Sequence, residues 1–412
     1  MKLLVINNGL WPSGAQITAN EFLQSIKGRV KIKILSCRGA KYVLNLSGVE
    51  VYKLPCRKIG NLPMMNLNTV AQKFVEWADI VWIATSELAL APKVKALKKV
   101  PIVAHLHSYE LLCPLMWLSY GFKEVCDDNC SLSKIVICKL RIYREMASLD
   151  IIPGIRKVID PGIHLVKGPF EYARWKQLIE GILDSIDGYI AVSNALWKIH
   201  INHIPELAEK PSAVIYNPVT EPLNYIRPDP GEPYSDYILY ASGPSLHKGP
   251  HLLLKAWSEV QREFRNMKLY MVGCKNSWVE KFASKMGLSG VVFMERLPPT
   301  IYYYLLMYKA KAVVMPSIAP ESFGRIPVEA NRLGVPAIVS SSGGLPEVVE
   351  DGVTGYIFKS GNSSELSEKI IRLLANMNFD RITVMENSNR RLNAQRQIEE
   401  LIKFFKKMLH NI

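Results

Sequence analysis

Two glutamates, Glu321 and Glu329, frame the run Pro316-Ser317-Ile318-Ala319-Pro320-Glu321-Ser322-Phe323-Gly324-Arg325-Ile326-Pro327-Val328-Glu329-Ala330. Glu321 follows an apolar stretch, Ala312–Met315, that reads as a buried strand. Pro327 suits the first turn of a helix, because a proline there gives up an N–H that has no helical partner. Glu329 then lies inside that helix, about a turn further on. One carboxylate stands at the mouth and the other at the flank of a helix N-terminus whose free amides favour an anion. Such a pair can hold a sugar hydroxyl and a ribose diol while amides near Gly324 take phosphate. Two bland readings fit the same residues: a Glu321 that caps the helix and a Glu329 on its surface.

Three other loops carry residues of the same kind. Ser242-Gly243-Pro244-Ser245-Leu246-His247-Lys248-Gly249 places a lysine at a helix start, where it can neutralise a diphosphate leaving group. It lacks the spacing of a Walker loop, and a solvent-facing lysine is the alternative. His105 and His107 end an apolar strand beginning at Ile102, and residues two apart on a strand point to one side. Core imidazoles would look the same. Asn8-Gly9-Leu10-Trp11-Pro12-Ser13-Gly14-Ala15 leads from the first strand into a helix, and Gly14 lets backbone amides approach an anion. The dinucleotide spacing GxGxxG is not met.

The elements that must position these loops alternate between strand and helix. In the second half the expected strands are Tyr237–Ala241, Leu269–Val272, Val291–Met294, Ala312–Met315, Ala337–Ser340 and Gly355–Phe358. Helices fall between them, including one near Pro327–Leu333 stopped by Gly334 and Pro336. The first half repeats the rhythm at Lys2–Ile6, Val30–Leu35, Val49–Lys53, Ile80–Ile83, Ile102–Ala104, Tyr189–Val192 and Ala213–Tyr216. Between about 110 and 180 the rhythm breaks, which reads as an irregular insert. Alternation of this kind predicts parallel sheets covered on both faces. The expected organisation is one α/β domain over 1–220, a Pro-rich linker over 221–234 and a second α/β domain over 235–392. A last amphipathic helix is expected over 393–412. Ligands of such sheets bind beyond the carboxyl ends of the strands.

Composition narrows the class. The chain has 412 residues, 49% hydrophobic and 21% charged, which is globular and long enough for two domains. The net charge of +14 divides into +9 over residues 1–220 (27 Lys and Arg, 18 Asp and Glu) and +5 over the rest (24 and 19). This suits a polyanionic partner or solubility alone, and no nucleic-acid-binding motif accompanies it. No apolar run reaches membrane-spanning length, and Asn7-Asn8-Gly9 interrupts the apolar N-terminus too early for a signal peptide. The expectation is a cytoplasmic protein, with peripheral contact at the membrane face as a further option.

These pieces together resemble the retaining glycosyltransferases of family 4, whose fold is the two-domain GT-B type: two doubly wound Rossmann-like α/β domains facing across a cleft. The resemblance is strongest over about 312–358, on Pro316-Ser317, Glu321-Ser322-Phe323-Gly324, Glu329-Ala330, Gly334-Val335-Pro336, Gly343-Gly344-Leu345-Pro346-Glu347 and Asp351-Gly352-x-x-Gly355. Ser13-Gly14-Ala15-Gln16, His107, Val192-Ser193 and Asn217 extend it. It implies a hexosyltransferase that uses a UDP- or GDP-sugar, retains the anomeric configuration and needs no cofactor for chemistry. Glu321 would contact the donor sugar and Glu329 the ribose. Ser322, Phe323 and Gly324 would bind sugar and phosphate through their amides, and Gly14 would close on the phosphates. His107 would sit beside the sugar, Lys248 would neutralise the departing diphosphate with Gly243 in its loop, and backbone at Arg296 and Leu297 would read the base. The chain departs from the pattern in two places. Gly243-Pro244 occupies the stretch where the family has an arginine, leaving Arg325 and Arg296 as substitute cations, and Gln16 stands where an acidic residue is common.

The insert has its own chemistry. Cys113, Cys126, Cys130 and Cys138 are spaced C-x12-C-x3-C-x7-C. They fit a structural zinc site, free thiols or a disulfide. Lys134–Arg144, read as a helix, sets Lys134, Arg141 and Arg144 beside an apolar face. This suits an anionic membrane carrying a lipid-linked or glycan acceptor, or simple packing on the domain. Two rivals to transfer share the architecture: a nucleotide-sugar 2-epimerase and a nucleotide-sugar-binding protein with little catalysis.

Overall fold

The structure, a computed structural model, describes the chain apart from residues 8, 10–12, 38–45, 60–61, 66, 122–123, 127–128, 150, 152–155, 230, 377 and 411–412. Two larger parallel sheets organise it. The first has seven strands in the order Ser212–Val214, Gly188–Ala191, Ile102–Leu106, Ile80–Ile83, Lys2–Ile6, Lys31–Cys37 and Glu50–Leu54. The second has six, in the order Val291–Met294, Lys268–Val272, Tyr237–Tyr240, Ala312–Met315, Ala337–Ser340 and Gly355–Phe358. Every pairing within them is parallel, and the central register sets Val5 between Ile34 and Trp82. Helices cover both faces, so the central strands are apolar at nearly every position rather than alternately: Leu3 to Ile6 and Ile80 to Ile83 are all fully buried.

Each sheet reverses its strand order at its first strand. In the second sheet Tyr237–Tyr240 lies between Lys268–Val272 and Ala312–Met315. The loops leaving the two strands at such a switch diverge and open a crevice at their carboxyl ends. The architecture is GT-B, two Rossmann-like units. Their cores are continuous at the cleft, where Met315, Phe323, Val328 and Leu345 of the second half share one buried cluster with Tyr109, Val192 and Leu196 of the first.

The last helix, Ala394–His410, crosses to the first sheet. It buries Ile398, Leu401, Ile402, Phe405 and Met408 among Leu3, Val5, Phe22 and Trp82. The segment leaving the first sheet is tied to this helix, since Tyr216 N donates to Gln397 Oε1 at 2.9 Å.

Residues 110–180 are more regular than the sequence suggests. Helices Leu132–Ser148 and Arg156–Ser185 pack on each other. Pro161, Gly162 and Pro169 are punctuation by composition, yet the helix Arg156–Ser185 runs through all three. Small antiparallel hairpins, Cys56–Ile59 with Leu62–Met65 and Ser119–Tyr120 with Glu124–Val125, had no clear periodic signal. Cys37 and Cys56 form a disulfide, with Cα atoms 5.5 Å apart, fastening the end of the strand Lys31–Cys37 to the first hairpin.

Candidate active site

The two loops at the second switch point are forced together by glycine. Gly249 has φ +69°, and a Cβ there would stand 1.9 Å from the Pro316 carbonyl oxygen. A side chain is excluded, and the 242–249 loop can press against the 316–324 loop. Lys248 Nζ therefore reaches both oxygens of Glu321, at 2.7 and 2.9 Å, and Ser317 Oγ donates to Glu321 Oε1 at 2.5 Å. Burial would raise the Glu321 pKa, but Lys248, Ser317 and His247 together outweigh it and hold the carboxyl below its ordinary value. Its backbone is fixed too: Gly344 N donates to the Glu321 carbonyl at 2.7 Å.

The following helix is Arg325–Arg332, and its N-cap is Gly324 at φ +110°. Glu321 is thus not its cap. Nor is Glu329 a surface residue, being 3% exposed. Arg325 Nε donates to Glu329 Oε1 at 2.7 Å, while Arg325 Nη1 and Nη2 donate to the two carboxylate oxygens of Glu21 at 2.6 and 3.1 Å. Tyr303 donates to Glu329 Oε2 over a longer 3.4 Å. Arg325 is thus engaged by carboxylates from both halves. Arg296 is exposed and Leu297 half-buried, just beyond the edge strand Val291–Met294. Ser322 and Phe323 turn toward the first half: Ser193 Oγ donates to the Ser322 carbonyl at 2.6 Å, and the Phe323 ring is buried beside Tyr216.

The first half brings neutral groups to the same region. His105 and His107 do share a side of their strand, with ring centroids 4.2 Å apart. His105 is fully buried against Phe22 and Trp82 and belongs to the core. Burial pulls the His107 pKa down to about 3 against the opposing pull of the Ala84 carbonyl, so its ring is neutral. Beyond it, the Tyr109 hydroxyl donates to the Glu321 carbonyl at 3.5 Å. Gly14 opens the helix Gly14–Ile26, capped by Ser13, and a Cβ on Gly14 would lie 3.9 Å from Arg325 Cδ. Gln16 accepts the Gly9 N–H on Oε1 at 3.1 Å, so the neutral amide here pins the loop. Asn8 and Leu10 to Pro12 of that loop lie outside the described residues.

Two site carboxylates escaped sequence reasoning. Glu21 carries no motif signal. Glu347 stands in the Gly-Gly-Leu-Pro-Glu run, which gave no role for it. Its carboxylate crosses to the first half and accepts from Asn194 N at 2.9 Å, Ala195 N at 2.6 Å and the Tyr216 hydroxyl at 2.9 Å. It sits at the N-terminus of the helix Asn194–His203, where a helix favours negative charge.

The four insert cysteines gather around one hairpin strand. Burial raises the Cys113 pKa, and the nearby backbone of Leu118, Leu115 and Trp117 opposes that rise; Cys126 N donates to the Leu118 carbonyl at 3.0 Å, and Cys138 Sγ donates to the Ser119 carbonyl at 3.5 Å. Among the described residues no three His, Cys, Asp or Glu side chains are placed to hold a metal ion, and all four sulfurs are free of disulfides. The thiols of Cys130 and Cys138 turn to backbone carbonyls instead, and burial pushes their pKa values up to about 12 and about 11. The basic helix is also engaged. Arg141 and Lys134 lie over the Tyr120 ring, at 4.1 and 5.7 Å from its centroid. Among the described residues no helix is long and apolar enough to cross a membrane.

Residues 226–391 match the model of the glycosyl transferases group 1, and this segment belongs to that family. The D-inositol 3-phosphate glycosyltransferase of Paenarthrobacter aurescens is 30% identical over 156 residues, 36% of either chain. An uncharacterized glycosyltransferase of Methanocaldococcus jannaschii is 30% identical over 186 residues, 45% of this chain and 50% of its own. The chain thus spans about a third to a half of the curated relatives it matches. Over the whole length the fold resembles Anabaena HepE in complex with UDP-glucose, at 18% identity, TM-score 0.68 and coverage of 99% of this chain and 100% of that one. It also resembles the pneumococcal O-GlcNAc transferase GtfA in complex with UDP and GlcNAc, at 11% identity, TM-score 0.63 and coverage of 100% and 99%.

Proposed function

We propose that the protein is a retaining glycosyltransferase that moves a hexose from a nucleoside-diphospho-sugar to a glycan or lipid-linked acceptor. The observation that carries this reading is the Lys248–Glu321 ion pair at the second switch point, in the loop that leads into the helix carrying the buried Glu329. In this reading Lys248 exchanges Glu321 for the diphosphate when donor enters. The exchange frees Glu321 for the sugar hydroxyls and for the positive charge that develops at the anomeric carbon. Glu329 takes the ribose diol, amides of Ser322, Phe323 and Gly324 meet sugar and phosphate, and the helix start at Gly14 faces the phosphates from the other half.

The acceptor oxygen bonds to the anomeric carbon on the face the diphosphate leaves, as the carbon–oxygen bond to phosphate breaks. The acceptor proton passes to a leaving phosphate oxygen, so neither glutamate serves as general base. His107, neutral throughout the working range, contributes a hydrogen bond beside the sugar rather than a charge. Backbone near Arg296 and Leu297 reads the base. The helical hairpin of residues 132–185 flanks the acceptor side, and its basic residues suit an anionic membrane surface.

The test is a thermal-shift panel of UDP-, GDP- and ADP-glucose on the wild type and on Glu329→Ala. One donor raises the melting temperature of the wild type by mass action, and the variant responds far less. A panel in which no nucleotide sugar binds sinks the reading. Conversion of the bound donor to its 2-epimer without acceptor would replace transfer by isomerisation.

A further inference from the structure

The buried cluster of Glu21, Arg325 and Glu329 holds two carboxylates and one guanidinium, with side-chain exposures of 7%, 8% and 4%. Its members come from both halves. Glu21 lies on the first helix, 304 positions from Arg325. Thr220, where the chain leaves the first half, donates to Glu21 Oε1 from its backbone N at 2.8 Å and from Oγ1 at 3.3 Å. Arg325 meets Glu21 with the two-pronged end of its guanidinium and Glu329 through Nε.

A guanidinium prefers to meet a carboxylate with two parallel bonds. With Glu21 occupying that fork, Glu329 is gripped through Oε1, and its Oε2 receives the 3.4 Å bond from Tyr303, long enough for a ribose hydroxyl to displace. Without Glu21, the fork would turn to its remaining carboxylate and draw both Glu329 oxygens away from a ligand. We propose that Glu21 is a positioning residue for donor binding: by engaging Arg325 across the cleft it leaves Glu329 oriented for the ribose diol. Because the contact exists only when the halves are together, closure and nucleotide affinity are coupled. The inference rests on the assignment of Glu329 to the ribose.

The experiment compares UDP, GDP and ADP with their 2′,3′-dideoxy forms by calorimetry on the full chain. The variants are Glu21→Gln, Glu21→Asp and, as reference, Glu329→Ala. Glu21→Gln weakens the nucleotide that binds by about tenfold, roughly one RT ln 10 step, leaves its dideoxy form within about twofold, and raises donor KM more than it lowers kcat. Glu21→Asp recovers part of the affinity. Equal weakening of diol and dideoxy nucleotides by Glu21→Gln, or no weakening of either, overturns the proposal while the donor site stands. If Glu329→Ala itself keeps the preference for the diol, the ribose assignment fails and the proposal with it. Should Glu21→Gln not fold, Thr220→Val removes one bond to the same carboxylate and gives a smaller change of the same kind.

Discussion

The two halves of the molecule follow one plan, a parallel sheet with a switch in strand order, but they bring opposite chemistry to the cleft. The second half brings charge in pairs: Lys248 on Glu321, and Arg325 on Glu329. The first brings a neutral imidazole, a glycine helix start and a phenol, with Glu21 as the exception and already committed to Arg325. A nucleotide sugar is charged at its diphosphate and nearly neutral at its sugar. The contrast suggests a division in which one half grips the leaving group while the other shapes the space where the sugar is passed on.

The strongest way to break this contrast is to remove the cation that joins the halves. Arg325→Met leaves Glu21 and Glu329 buried without their common partner and is expected to cost about 3–5 kcal/mol of stability. Urea denaturation checks it, and a loss under about 1 kcal/mol would mean that water already reaches the cluster. Next, Glu321→Gln is expected to lower kcat by roughly 10²–10³, the scale for one charge-stabilising group at a reacting centre. Nucleoside diphosphate affinity should change far less, and parallel losses in both would reassign Glu321 to binding.

A third prediction sharpens the first half. Glu110 is buried beside Glu87, and burial first, then that neighbour, push its pKa up to about 8. The folded protein therefore keeps a proton that the unfolded chain releases near its ordinary value of 4.5. Stability from this group is complete below about pH 4.5 and is lost as pH rises toward 8, with a slope of at most about 1.4 kcal/mol per pH unit. Glu110→Gln should remove that fall, read as the difference between wild-type and variant melting curves from pH 5 to 8. The difference matters because buried His200 and half-buried His107 and His247, with pKa values held at about 3 to 4, act the other way. They make stability rise with pH up to their unfolded value near 6.5.

The smallest expected effect is that of His107→Gln. It should lower kcat by about tenfold or less, within the range of one neutral hydrogen bond, and leave the pH–rate profile unchanged between pH 5.5 and 8. A profile that loses a limb in the variant would give His107 a titrating role and erase the contrast between the halves.

Much of the second half was legible because its signals are local. The strands Ala312–Met315, Ala337–Ser340 and Gly355–Phe358 fall where apolar runs and glycine stops put them, and Lys248 and Glu321 meet because two adjacent loops leave one switch point. Residues 110–180 were not legible. The rhythm that breaks over this stretch hides a helix that runs through Pro161 and Gly162, and the C-x12-C-x3-C-x7-C spacing carried no word of the carbonyls that Cys130 and Cys138 would face. Glu21 was invisible for a different reason. Its meaning lies in a partner from the other half, and no periodicity along one helix encodes that.

The chain passes between the halves twice, once after Tyr216 and again before the helix Ala394–His410, and the Tyr216–Gln397 bond fastens the two passages side by side. Mechanically this is a door hung on two adjacent straps rather than a weight on a single cord. Twisting and sideways sliding strain one strap against the other, while swinging about the line that joins them strains neither. Of the relative movements open to two such straps, rotation about that line is the least resisted, and the bonds of Glu21 to Arg325 and of Glu347 to Asn194 and Ala195 are those it would have to break.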